Sequence, residues 1–192
     1  THTIGVTATD KNGAASSAVT HTITINAIAA VDLASIIANL DPADTVVTLN
    51  DVAPANIQDF IAAIAALPPR APGDPVIEIV INLDQGTFGL GRKVDIPAGY
   101  TLVINGTHQV VIQGSSPALT LGSGDLVARG DLTFSTTTDD PTILVEGGGL
   151  SLRDGTIQET TGGDRAAIEI RNGTVDLGST ADGGGNTFNV KG

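Results

Sequence analysis

The chain has 192 residues, a net charge of -12 and no Cys, Met or Trp. Without Cys it holds no disulfide scaffold, zinc–thiolate site or thiol nucleophile. With nine Lys plus Arg against 21 Asp plus Glu, it lacks the basic footprint that nucleic acid or an anionic lipid surface requires. No apolar stretch approaches the roughly 20 residues of a membrane-spanning helix. The acids are 17 Asp and only four Glu, a bias toward turns over helices. Abundant Thr, Val and Ile favour strands. Only Phe60, Phe88, Phe134, Phe188 and Tyr100 are aromatic, so the core must be aliphatic. Thr1 opens the chain with neither a basic segment nor an apolar leader, which reads as a processed product or a fragment.

Residues 1–26 alternate polar and apolar in two runs, Ile4-Val6-Ala8 and Val19-His21-Ile23-Ile25, around the turn signal Asp10-Lys11-Asn12-Gly13. This pattern predicts an antiparallel hairpin with one apolar face. Residues 27–75 form a linker and capping region. Leu33, Ile36, Ile37 and Leu40 have helical spacing and stop at Asp41-Pro42, and Thr45–Leu49 reads as a short strand. Asn56–Leu67 is the best helix, with Ile57, Phe60, Ile61, Ile64 and Leu67 on one stripe and Pro68-Pro69 ending it.

From Val76 the texture changes to short apolar runs divided by Gly, Asn and Asp. Blocks of 24 residues begin at Lys93, Pro117, Pro141 and Arg165. Leu102, Leu126 and Leu150 share one position in these blocks, and Thr174 interrupts the series. Leu119, Ile143 and Ile168 form a second column, its last member displaced by one residue. A coil of this length with three short strands is the unit of a parallel β-helix. The expected fold is therefore all-β with a short capping helix: a right-handed parallel β-helix over 76–192 plus the N-terminal β-hairpin. Asn105-Gly106 and Asn172-Gly173 are expected at corners with positive φ.

Three resemblances follow from these residues. The segments Leu83-Asp84-Gln85-Gly86-Thr87-Phe88 and Ile96-Pro97-Ala98-Gly99-Tyr100-Thr101-Leu102 resemble the opening coils of pectin-lyase-like right-handed β-helices, with helix 56–67 where the cap of that family sits. Coils ending Thr174–Gly178 and Gly185–Val190 are similar to those of large bacterial surface proteins. Residues 1–26 resemble the last two strands of bacterial immunoglobulin-like or cadherin-like modules. The likeness implies a fold and leaves function open, because such helices serve as enzymes, adhesins and passive stalks.

The chemical candidates are few. Asp139-Asp140 matches one of the acidic motifs of galacturonide hydrolases, but their Gly-His-Gly and Arg-Ile-Lys motifs are missing. Arg129 with Asp131 and Arg153 with Asp154 recur one coil apart, which would stack them on an outer face in the manner of a calcium-dependent lyase; a solvated ladder of corner residues is the favoured reading. Arg129-Gly130-Asp131 is also an integrin-type tripeptide. Asp10–Gly13 and Asp41–Asp44 offer carboxylates to calcium without the spacing of a full calcium loop. His2, His21 and His108 share no metal-like spacing. Asn105-Gly106-Thr107 and Asn172-Gly173-Thr174 are glycosylation sequons at turns.

The expectation is thus a structural or adhesive module, extracellular or at a cell surface, with no catalytic residue assigned and calcium as the one weakly suggested cofactor. Its expected partners are copies of itself, neighbouring domains of a longer parent chain, or carbohydrate, with no nucleic acid and no membrane insertion. Few residues follow Phe188, so the last coil is expected to be uncovered. Three outcomes stay open: the parent chain continues, another subunit stacks there, or a segment such as the hairpin 1–26 covers it, in the same molecule or in a neighbour. The last two allow an end-to-end filament through that coil and the N-terminal strands. The alternative is a lyase or glycosidase acting on acidic polysaccharide.

Overall fold

The computed structural model describes residues 21–25, 33–41, 44–114, 116–181 and 183–191. The expected strand Ile4–Ala8, the Asp10–Gly13 turn and His2 lie outside the described residues. In chain order the elements are β1 (His21–Ile25), α1 (Leu33–Ala38), β2 (Asp44–Leu49), α2 (Ile57–Ala65), β3 (Ile77–Leu83), β4 (Gly86–Phe88) and β5 (Val94–Asp95). There follow β6 (Tyr100–Gly114), β7 (Leu119–Ser123), β8 (Asp125–Thr136), β9 (Ile143–Val145), β10 (Gly149–Arg153), β11 (Thr156–Glu159), β12 (Ile168–Ile170), β13 (Thr174–Asp176) and β14 (Thr187–Asn189).

These strands wind a parallel β-solenoid with three faces. The first face runs β1-β2-β3-β6-β8-β10-β13, and the third runs β5-β7-β9-β12. The second face joins β4, the later halves of β6 and β8, β11 and β14. Every described pairing is parallel, because each turn of the coil returns the chain to the same face in the same direction. The outer strand β1 pairs in parallel with β2, so His21–Ile25 extends the first face by one rung.

Each face carries an aligned apolar column. On the first, Val47, Ile79, Leu102, Leu126, Leu150 and Val175 are successive partners. The coil steps from Ile79 onward are 23, 24, 24 and 25 residues. The column therefore does not stop at Thr174: one extra residue in the last coil moves Val175 into the place that a strict 24-residue period assigns to Thr174. On the third face Leu119, Ile143 and Ile168 are in register as expected, with Leu121, Val145 and Ile170 beside them. On the second face Phe88, Ile112, Phe134, Ile157 and Phe188 align, a column that contains three of the four phenylalanines. Stacking at roughly 4.8 Å puts like residues over like, so aliphatic side chains fill the interior without large rings.

Corners explain the glycines. Gly124, Gly148 and Gly173 stack at the entry to the first face with φ of 75°, 76° and 103°. A Cβ on Gly148 would lie 2.0 Å from the Gly124 carbonyl oxygen, and one on Gly173 would lie 2.3 Å from that of Gly148. Both the dihedral and the close approach exclude a side chain. Gly106 differs from its expected role: it does not have positive φ, and its requirement is space, since a Cβ there would sit 2.8 Å from the Asp131 carbonyl.

Helix α2 closes one end of the interior. Its buried face, Ile57, Phe60, Ile61 and Ile64, joins the same core as the columns, and the helix packs beside β5. The Gln58 side-chain amide donates to the Gly89 carbonyl at 3.2 Å, which ties the helix to the loop after β4. The chain takes 32 residues from Val47 to its register partner Ile79, and the segment that holds α2 stands in place of second-face and third-face strands in that coil. Helix α1 adds Leu33, 1% exposed, to this cap.

Candidate functional site

The far end of the solenoid differs in surface. There β13 pairs with β10 alone, β14 with β11 alone and β12 with β9 alone among the described residues, so all three faces end in an edge. The columns also lose their cover at this end. Phe134 is 0% exposed, whereas Phe188 in the same column is 44% exposed. Ile170 and Val190 are exposed as well. Together these unpaired edges and exposed apolar side chains give the last coil the character of a strand-addition surface.

Polar contacts hold this last coil to the one before it. Arg153 Nη2 donates to Asp176 Oδ2 at 2.6 Å, while Nη1 donates to the carbonyls of Leu152 at 2.9 Å and Asp176 at 3.1 Å. The Arg153 hydrogen bond, helped by the backbone N–H of Gly178, holds the Asp176 carboxyl below its ordinary pKa. Asn186 fastens the loop ahead of β14. Its Oδ1 accepts from the Gly155 N–H, and its Nδ2 donates to the carbonyls of Leu152 and Leu177. Lys191 contributes its backbone N–H to Glu159 Oε2 and its Nζ to the Thr160 carbonyl.

A charge ladder runs along the corner after the third face. Lys93 Nζ lies 3.7 Å from Glu146 Oε2, and Arg171 bridges Glu146 at 3.3 Å and Glu169 at 2.7 Å. The hydrogen bond to Glu169 comes first among the causes that raise the Arg171 pKa. Gly122 makes the ladder fit, because a Cβ there would fall 2.6 Å from Cδ of Lys93 and 2.2 Å from Oδ1 of Asp95. At the opposite corner Asn105 donates to Asn82 at 2.8 Å, and Asn82 to Asn50 at 2.7 Å, a stacked amide ladder. Sequence reading passes over both sets. The step of 23 from Asn82 to Asn105 and of 25 from Glu146 to Arg171 are the only signals, legible once the coil length is known.

The enzyme-like candidates separate. Arg129 and Arg153 are register partners, but Asp131 and Asp154 do not stack. Arg153↔Arg129 is followed by Thr156↔Thr133, so the later corner is one residue shorter and Asp154 takes the place of Gly130. Asp154 and Gly130 both have positive φ, 56° and 84°. Asp131 Oδ2 instead accepts the N–H of Gln109 at 2.8 Å. The Arg129-Gly130-Asp131 tripeptide is thus a solenoid corner.

Asp139 and Asp140 lie at another corner, between the second and third faces. Asp140 Oδ2 accepts from Thr138 Oγ1 at 2.9 Å, and the pair lines a shallow dimple with Glu159 and Arg165. Among the described residues no group of three His, Cys, Asp or Glu is disposed to hold a metal ion. Asp41 and Asp44 close on each other as a turn, with the Asp44 N–H on the Asp41 carbonyl at 2.8 Å. No described helix is long and apolar enough to cross a membrane. Compared with protein-family models, with curated proteins and with solved structures, the chain matches none.

Proposed function

We propose that this chain is a stiff structural module of a secreted or cell-surface protein, and that its last rung receives another β-coil so that modules join end to end. The observation that carries the reading is the contrast between the two ends of one core. Helix α2 buries its apolar face over the interior beside β5, while Ile170, Phe188 and Val190 at the last strands are 52%, 44% and 57% exposed. Three hydrogen-bonded faces around one set of columns resist bending, since any bend must open a ladder on one side. The charge of -12 repels rods that approach side by side and leaves the ends as the contact surface.

The N-terminal strands supply the complementary surface, with β1 as the outermost strand of the first face. Among the described residues the first face thus ends in an edge on both sides, as a head-to-tail contact that repeats without closing needs. A pectin-lyase-like ancestry, an immunoglobulin-like origin for residues 1–26 and an adhesive role belong to the same proposal. The experiment is light scattering over a wide concentration range, on the wild type and on Phe188→Asp combined with Val190→Asp. The mass of the wild type is expected to rise with concentration, and that of the double variant to stay monomeric with an unchanged circular dichroism spectrum. A wild type that stays monomeric throughout overturns the assembly. Release of unsaturated products from acidic polysaccharide would overturn the structural role.

A further inference from the structure

The tripeptide Asn-Gly-Thr occurs twice among the described residues, at 105–107 and 172–174, in two different surroundings. Asn105 sits inside the 15-residue strand β6, in register with Asn82 on one side and Arg129 on the other. Its Nδ2 donates to Asn82 Oδ1 at 2.8 Å, and Thr107 Oγ1 donates to the Leu83 carbonyl at 3.0 Å. Gly106 is paired with Leu83 and Gly130 in the ladder. Asn172 lies in the turn between β12 and β13, where Arg171, Asn172, Gly173 and Thr174 are all exposed. Its side chain makes no hydrogen bond among the described residues, while the N–H groups of Asn172 and Thr174 bond to the carbonyls of Val145 and Gly148.

We infer that Asn172 is a built-in site of spontaneous deamidation in the folded protein, and that Asn105 is protected from the same reaction. In the reaction the Gly173 backbone nitrogen attacks the Asn172 side-chain carbonyl carbon. The new C–N bond closes a succinimide, and the side-chain nitrogen leaves as ammonia with the proton from the Gly173 amide. Water then opens the ring at either carbonyl to give aspartate or isoaspartate. A glycine at the second position offers the least hindered nitrogen. Here the fold requires that glycine, since Gly173 has φ 103° and a Cβ would meet the Gly148 carbonyl oxygen at 2.3 Å. The labile pair is therefore a consequence of how the corner is built. At Asn105 the ring cannot close until the ladder on both sides opens locally, which a rung in mid-solenoid rarely does.

The product alters the end of the rod. Isoaspartate inserts a methylene into the main chain directly ahead of β13, whose register with β10 starts at Thr174↔Gly149. Either product adds a carboxylate beside Arg171.

The test is ageing of the native protein in mildly alkaline buffer, followed by tryptic mapping. Cleavage after Arg171 and Arg129 places Asn172 and Asn105 in separate peptides, and fragmentation locates the change. Conversion at Asn172 is expected to be at least about tenfold faster than at Asn105 in the folded chain, and the two rates are expected to converge in denaturant. Equal rates in the folded chain, or an Asn172 that survives while Asn105 converts, would overturn the inference. Asn172→Gln should remove the fast conversion from the peptide that follows Arg171; a fast conversion that persists in that peptide would also overturn it.

Discussion

The second-face column permits a test of how far the interior is sealed. Phe134 is fully buried and held in register between Ile112 and Ile157. A buried phenylalanine takes about 150–250 Å² out of water, worth about 4–6 kcal/mol at ~25 cal/mol per Å². Alanine retains part of this, but the rungs above and below are fixed by their ladders and cannot collapse into the gap. Phe134→Ala should therefore cost about 4–5 kcal/mol, toward the upper end for such truncations. Phe188→Ala removes the same ring from the same column where 44% of it is already in water. There roughly half the transfer term remains and the gap is open to solvent, so the cost should be about 1–2 kcal/mol.

Guanidinium unfolding followed by far-ultraviolet circular dichroism measures the difference, and amide exchange locates it by rung. Exchange matters because a solenoid can open from one end without unfolding as a unit. A Phe188→Ala cost equal to that of Phe134→Ala would refute the reasoning, since it would mean that the last rung is sealed in solution.

Further outcomes are expected at the corners and ladders. Gly148→Ala forces a Cβ against the Gly124 carbonyl at a backbone with φ 76°; it should cost about 2–4 kcal/mol and lower the melting temperature. Gly183→Ala, with nothing within 4 Å of its Cβ, should leave that temperature nearly unchanged. Asn82→Ala breaks two bonds of the amide ladder, with Asn50 and Asn105, and should cost about 1–2 kcal/mol by thermal denaturation; no loss would mean that water replaces both. Asp176 has its folded pKa lowered mainly by the hydrogen bond from Arg153. Its contribution is thus full above the ordinary carboxylate range and fades as pH falls through the folded value. The protection factors of the β13 amides, corrected for the slower intrinsic exchange in acid, should fall on acidification through that range, by a small factor because Asp176 is largely solvated. Asp176→Asn should flatten this response.

Much of the architecture was legible in the chain itself. The excess of Asp over Glu, the scarcity of aromatics and the 24-residue recurrence of Leu102, Leu126 and Leu150 pointed to stacked coils, because like-over-like stacking is what such a period can bury. Helix α2 was legible from its apolar stripe and the prolines after it. Strict periodicity failed where the coil length drifts: Val175 replaces Thr174 in the column, and Asp154 falls opposite Gly130 instead of Asp131. A one-residue change at a corner costs the fold little and moves every later residue off the expected place.

What the sequence determined alone is the repeat, the aliphatic interior and the absence of thiol chemistry. Only the tertiary structure decided which positions meet. It brought Phe88, Ile112, Phe134, Ile157 and Phe188 into one column, joined Lys93 to Glu146 two coils away, and gave Asn105 and Asn172 different environments despite the same neighbours. It also showed which end of the core is covered. The physical reason is that burial depends on what lies on the rung above and the rung below, and those neighbours are about 24 residues away along the chain.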